Sequence, residues 1–220
     1  MKGYVITLME YPESVEIADR CIKSGQKFGV DIEKFTAVHK SISFKEMENE
    51  GLRLGNFDTK YSNVEAVVGN FVSQYRIWKI IRDTGVPAIV FEHDAVVIDD
   101  IPKLTGDIVN LGKPSFGVFN TKDEKGIHPL FSKNPTTEFG RYMPGAHAYY
   151  VTPVGAAKLI AAAKRKGVLP CDVFINTSTF PNIMEVYPWP VEAVDSFTTI
   201  QKPLGCKAKH SYNDNYKLLS

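Results

Sequence analysis

Short apolar runs alternate along the chain with stretches whose apolar residues recur every three to four positions, a pattern that predicts strands separated by helices. "GYVITL" (residues 3–8) is apolar and rich in β-branched residues. "PESVEIADRCIKSGQKFG", which follows, carries Val15, Ala18 and Ile22 on one helical stripe and has glycines at its end. Val64, Val67, Val68, Phe71, Tyr75, Trp78 and Ile81 form a second stripe, Gly85 supplies a stop, and the chain then enters the apolar run "PAIVF" (87–91). "TPVGAAKLIAAAKRKG" predicts the best-bounded helix. Thr152 suits its N-cap, Pro153 its first turn, Lys164, Arg165 and Lys166 its negative end, and Gly167 its exit. Further strands are expected at "SFGVF" (115–119), "AYYV" (148–151) and "IMEVY" (183–187), and long loops over 39–63 and 121–145. Strands alternating with helices predict an α/β fold, a mixed but mainly parallel sheet with helices on both faces. Neither a repeat nor a linker divides the 220 residues, so one domain is expected.

Charge narrows the partners. Lys and Arg number 26 against 25 Asp and Glu, which lacks the basic excess expected of a protein that grips nucleic acid through phosphates. Cys21, Cys171 and Cys206 are odd in number and widely spaced, which disfavours both a disulfide framework and a thiolate metal site. The run "YVITLM" is too short for a signal peptide and meets Glu10 at once, and nothing approaches the roughly 20 apolar residues of a membrane span. A soluble, cytoplasmic protein is the expectation. No phosphate-loop, zinc-protease or nucleophile-elbow motif occurs.

Candidate chemistry concentrates where "PAIVF" runs into Glu92, His93 and Asp94. Ligands of open α/β sheets collect at the carboxyl ends of strands. If the backbone stays extended, Glu92 and Asp94 leave the same side while His93 faces the other way. Two like charges so placed repel unless water or a cation intervenes, and Mg²⁺ or Mn²⁺ takes one or two carboxylates plus substrate phosphates. The alternative is a pair of ordinary solvated carboxylates at a strand exit.

"GNFVSQYRIWKIIRDTGVPAIVFEHDAVV" (69–97) resembles the stretch of glycosyltransferase family 25, the lipooligosaccharide and collagen galactosyltransferase group, that reads G-C-x-x-S-H-x-x-x-W and later an apolar strand closing in E-D-D. Gly69, Ser73, Trp78, Glu92 and Asp94 match. "GAHAYYVTPVGAAKLI" (145–160) is similar to that family's G-T-x-x-Y-x-x-S-x-x-G-A-x-x-L-L, "PCD" (170–172) to its P-x-D, and "YVITL" with Arg20 downstream to its first strand. The chain departs from the pattern at Gln74, where the family has His, at 66–68, where it has G-E-I, and at His93, where it has Asp.

The resemblance implies a GT-A fold that holds a nucleotide-diphosphate-sugar, a UDP-sugar in the first instance, through a divalent metal and passes the sugar with inversion to a hydroxyl of a glycan, lipid-linked sugar or protein. About 1–100 would bind the donor, and about 101–220 the acceptor. Asp94 is then the principal metal ligand, with Glu92 on the metal or the ribose and His210 a third ligand from a basic C-terminal loop. Thr7, Leu8, Ser73, Gln74, Glu92, His93, Gly145 and His147 would contact the donor. Asp172 would be the base that takes the acceptor proton, unless it is simply a helix cap. Trp78 falls on an apolar stripe and reads as core, and His147 and the tail around His210 also have purely structural readings. A sugar nucleotidyltransferase would share the sheet and metal, but "TLMEYPES" lacks a Gly-rich basic loop. A degenerate transferase that only binds carbohydrate or protein is the third reading.

Overall fold

In the computed structural model, residues 1–60, 62–114, 122–131, 142–143, 146–194 and 200 are described in full, and 197–198 and 217–218 as backbone alone. The expected strand at 115–119 and the site candidates Gly145 and His210 lie outside them, as does Cys206.

The chain runs β1 (Lys2–Thr7), α1 (Pro12–Lys27), β2 (Asp31–Thr36), α2 (Ser43–Asn49), α3 (Val64–Thr84), β3 (Ala88–Glu92), β4 (Ala95–Val97), β5 (Ile108–Asn110), β6 (Gly126–Pro129), β7 (Ala148–Val151), α4 (Pro153–Lys166), α5 (Cys171–Phe174), β8 (Met184–Tyr187) and β9 (Val191–Ala193). Seven strands form one sheet in the order β2-β1-β3-β7-β5-β8-β6. β1, β2, β3, β5 and β8 run one way, with β7 and β6 against them. β4 and β9 pair separately and antiparallel. The expected α/β architecture is thus present, a mainly parallel sheet between helices.

Strand alternation decides which face each helix covers. Along β3, Ala88 and Val90 join the core under α3 and α4 with Phe71, Trp78 and Leu159, whereas Ile89 and Phe91 join Val5, Ala18 and Cys21 under α1. Each large apolar side chain buried this way contributes about 1.5–3 kcal/mol. Helix ends follow the sequence signals closely. Asn63 accepts from Ala66 N at 3.1 Å to start α3, Gly85 ends it in the left-handed region at φ 70°, and Thr152 accepts from Gly155 N at 3.0 Å to start α4.

Two expectations need correction. The 39–63 stretch is not all loop, because α2 lies within it and packs on α3 through Ser43 and Met47. Arg76 pairs with Glu46 and Glu50, and Lys79 with Glu50, across the same contact. Likewise 121–145 contains β6, an edge strand paired with β8. β2, β4, β5 and β9 have no counterpart among the expected strands. β2 is an edge strand in which only Ile32 is fully buried, and the others are three residues long, so their patterns are weak.

Candidate active site at the carboxyl end of β3

The order β2-β1-β3 sets the location. From β1 the chain crosses through α1 on one face to β2, and from β2 through α2 and α3 on the other face to β3. Such a reversal leaves a crevice beyond the carboxyl ends of the parallel strands. A cleft of about 800 Å³, counted to its open mouth, occupies it. Its floor is Ile6, Ala37, Val38 and Ala66. Leu8 and Tyr11 follow β1, His39 and Lys40 follow β2, and Asn70, Glu92, His93, Asp94 and Ile200 complete the wall. Tyr11 is the N-cap of α1, and Ala66 lies in the first turn of α3, so two positive helix ends meet the cleft.

Glu92, His93 and Asp94 all line this cleft, although not in the expected extended geometry. β3 ends at Glu92, and His93 and Asp94 form a turn into β4. The two carboxylates have different neighbours. Glu92 Oε1 accepts from Asn70 Nδ2 of α3 at 3.1 Å. Asp94 instead lies within electrostatic reach of Cys21 on α1, whose thiol is pushed up to about 12 by burial first and by the Asp94 charge second. His93 Nδ1 sits 3.1 Å from Ser14 Oγ, which in turn accepts from Leu8 N at 3.1 Å. Burial, helped by the positive charge of Arg20, holds the His93 imidazole down to about 4, so it is neutral at pH 7.

The other expected donor contacts are mostly indirect. Leu8 is on the cleft wall. Thr7 is fully buried and donates to Val5 O at 3.1 Å. Ser73 is buried as well, donating to Gly69 O at 2.7 Å and accepting from Val38 N at 2.8 Å. With Gly69, where any Cβ would overlap the Val38 carbonyl oxygen, it docks the exit of β2 onto α3 and so places His39 and Lys40. His147 is buried with its ring over Gly112, where a Cβ would lie 2.6 Å from Nε2, and its carbonyl accepts from Glu92 N at 2.9 Å.

Gln74 belongs to a buried chain of hydrogen bonds. Trp78 Nε1 donates to Tyr149 Oη at 2.8 Å, Tyr149 Oη to Gln74 Oε1 at 2.6 Å, and Gln74 Nε2 to Asn70 Oδ1 at 2.7 Å, one bond short of Glu92. Trp78 is core, as its stripe predicts, stacked on Phe174 at 5.8 Å between ring centroids.

Asp172 stands apart from the cleft lining, in the single turn of α5, where its Oδ1 accepts from Val173 N at 2.9 Å. The N-cap of that turn is Pro170. Burial raises the Asp172 carboxyl to about 6 against the lowering effect of that N–H bond. Asp172 and Glu92 flank Cys171, whose thiol is raised well above its ordinary value by burial first, then Glu92, then Asp172.

Four polar cleft residues have no expected counterpart: Tyr11, His39, Lys40 and Asn70. His39 is fixed at Nδ1 by Ser41 N at 3.3 Å and Ser41 Oγ at 2.7 Å, and its Nε2 lies 3.3 Å from Tyr11 Oη and 3.7 Å from Glu10 Oε1. An accepting Nδ1 makes Nε2 the protonated nitrogen of the neutral ring. None of the four is a matched motif position or lies on the apolar stripe read from the sequence, so the sequence alone carried no signal for them.

Among the described residues no group of three or more His, Cys, Asp or Glu side chains is assembled that could hold a metal ion, and no helix is long and apolar enough to cross a membrane. No protein-family model matches the chain, and no curated protein matches it. Two solved structures superpose on it weakly. One is a protein of Bacillus anthracis assigned as a glucose-1-phosphate thymidylyltransferase, in complex with sucrose, at 13% identity and TM-score 0.42 over 88% of this chain and 87% of that one. The other is the CTP:phosphocholine cytidylyltransferase of Streptococcus pneumoniae, at 12% identity and TM-score 0.40 over 88% and 93%. At that level of superposition neither bears on what this chain acts on.

Proposed function

We propose that the chain is a glycosyltransferase that binds a nucleotide-diphosphate-sugar in the β1-β2-β3 cleft and transfers the sugar, with inversion, to an acceptor hydroxyl. The observation that carries this reading is the Glu92-His93-Asp94 turn, which brings two carboxylates into a cleft where the N-terminal ends of α1 and α3 converge. Helix N-termini favour phosphate, and carboxylates beside them suit a cation that accompanies it. The family 25 resemblance adds support, because the same turn is where its acidic motif falls.

The donor set fits a hydrated Mg²⁺ or Mn²⁺ completed by phosphate oxygens: it is oxygen-rich, and the thiols of Cys21 and Cys171 are buried. Asp94 would hold the ion, with Glu92 binding through water or holding the ribose. Bound there, the cation would offset negative charge on the leaving diphosphate. Neutral His93 orients without adding charge, and Lys40 at the rim attracts phosphate. Asp172, raised to about 6 by burial, has the proton affinity of a base that works near neutral pH.

The test combines binding with turnover. Calorimetry with UDP and Mn²⁺ should give binding that Asp94→Ala abolishes. Nucleoside diphosphate release from a panel of nucleotide-sugars should be lost in Asp172→Asn while UDP binding is retained. Undiminished release in that variant removes Asp172 as base, and binding without release across every acceptor screened favours a carbohydrate-binding module.

A further inference from the structure

We propose that Asn70 and Gln74 are positioning residues for Glu92, the cleft end of a hydrogen-bonded chain that begins at Trp78 and passes through Tyr149. This rests on the reading of the cleft as the donor site.

The chain has a single direction. An indole N–H can only donate, so the Tyr149 oxygen receives it and the one phenolic hydrogen points to Gln74 Oε1. An amide whose oxygen is taken presents its NH₂, so Gln74 donates to Asn70 Oδ1 and Asn70 donates to Glu92 Oε1. The amide orientations of Asn70 and Gln74 fit both ends at once, the donating Tyr149 hydroxyl and the accepting Glu92 carboxylate.

Its placement argues for a role. Asn70, Gln74 and Trp78 recur at four-residue intervals on α3, within a stripe whose other members, Phe71, Val68 and Ile81, are apolar and buried. Gln74 and Tyr149 are fully buried. A buried polar group left unsatisfied is costly, so an apolar stripe would be the simpler packing. This polar thread leads to a carboxylate on the cleft wall, and a directed donor there fixes which oxygen Glu92 commits to α3. Charge-assisted bonds of this kind both orient and stabilise a carboxylate.

A ligand-independent test reads the chain itself. In ¹⁵N spectra of the free protein, Glu92→Gln should shift the side-chain amide signals of Asn70 and Gln74 and the indole signal of Trp78. With Gln74→Leu the Trp78 signal should stop responding to that change. A Gln74 amide that ignores Glu92→Gln overturns the proposal. So does a Trp78 signal that responds equally without Gln74.

Binding supplies the functional arm. Gln74→Leu should weaken binding of UDP with Mn²⁺ roughly tenfold or more when Glu92 is present, and by less than about twofold in a Glu92→Gln background. Equal weakening in both backgrounds marks a merely structural role and contradicts the proposal. Gln74→His, whose neutral ring can accept from Tyr149 and donate to Asn70, should restore most of the affinity and guards against loss of fold in the leucine variant. Absence of any UDP binding by the wild type defeats the functional reading alone and leaves the resonances to decide the chain.

Discussion

Asp172 shows at the scale of one residue how environment replaces composition as the guide to chemistry. Its native carboxyl is raised to about 6 from an ordinary 3.8, so the folded state favours the protonated form. The associated stability is fully present below pH 3.8 and is lost as the pH rises through 6. Asp172→Asn, which keeps an acceptor for Val173 N, should therefore match the wild type in stability near pH 3.5 and exceed it by up to about 3 kcal/mol above pH 7. Urea denaturation across that range checks it, and a pH-independent difference would refute the burial argument. The sequence offered Asp172 as base or cap. The cap reading does not match its position, since Pro170 is the N-cap and the carboxylate accepts from Val173 N within the same turn. The motif was legible, but the burial that raises this carboxyl was not, because it is a property of the folded chain.

At the scale of elements, α3 organises the cleft. One set of its residues, Gly69 and Ser73, holds the backbone of Val38, and another, Asn70 and Gln74, holds Glu92. Gly69→Ala should push the exit of β2 off the helix, costing about 1–3 kcal/mol of stability and weakening nucleotide binding as His39 and Lys40 shift. Thr152→Ala, which removes the α4 cap far from the cleft, should cost about 1 kcal/mol while leaving binding unchanged. Comparing the two variants by thermal denaturation and calorimetry separates packing from site geometry, and equal effects on binding would show that Gly69 does not act through the cleft. The long elements were legible because α3 and α4 carry full periods with caps. β2 and α2 were hidden. The one fully buried residue of β2, Ile32, and the pair Ser43 and Met47 in α2 leave no apolar run in the sequence.

On the scale of the whole molecule, the site exists because β1, β2 and β3 lie side by side and their following segments converge. Positions 8–11, 37–40 and 92–94 are distant in sequence, and each alone reads as a polar loop. Sequence pattern located the third segment through its abrupt change from apolar to charged. It could not place Tyr11 or His39, whose partners come from other loops or from ordinary turn contacts. The turn at His93 and Asp94 likewise replaces the extended geometry expected for the two carboxylates, so the cation proposed there would need phosphate to complete its shell.

Titration of the protein with UDP in the presence and absence of Mn²⁺, repeated with Asp94→Ala, tests the central claim most directly. Saturable binding that requires the metal and disappears with the Asp94 carboxylate is the predicted result. Metal-independent binding, or binding indifferent to Asp94, would contradict it.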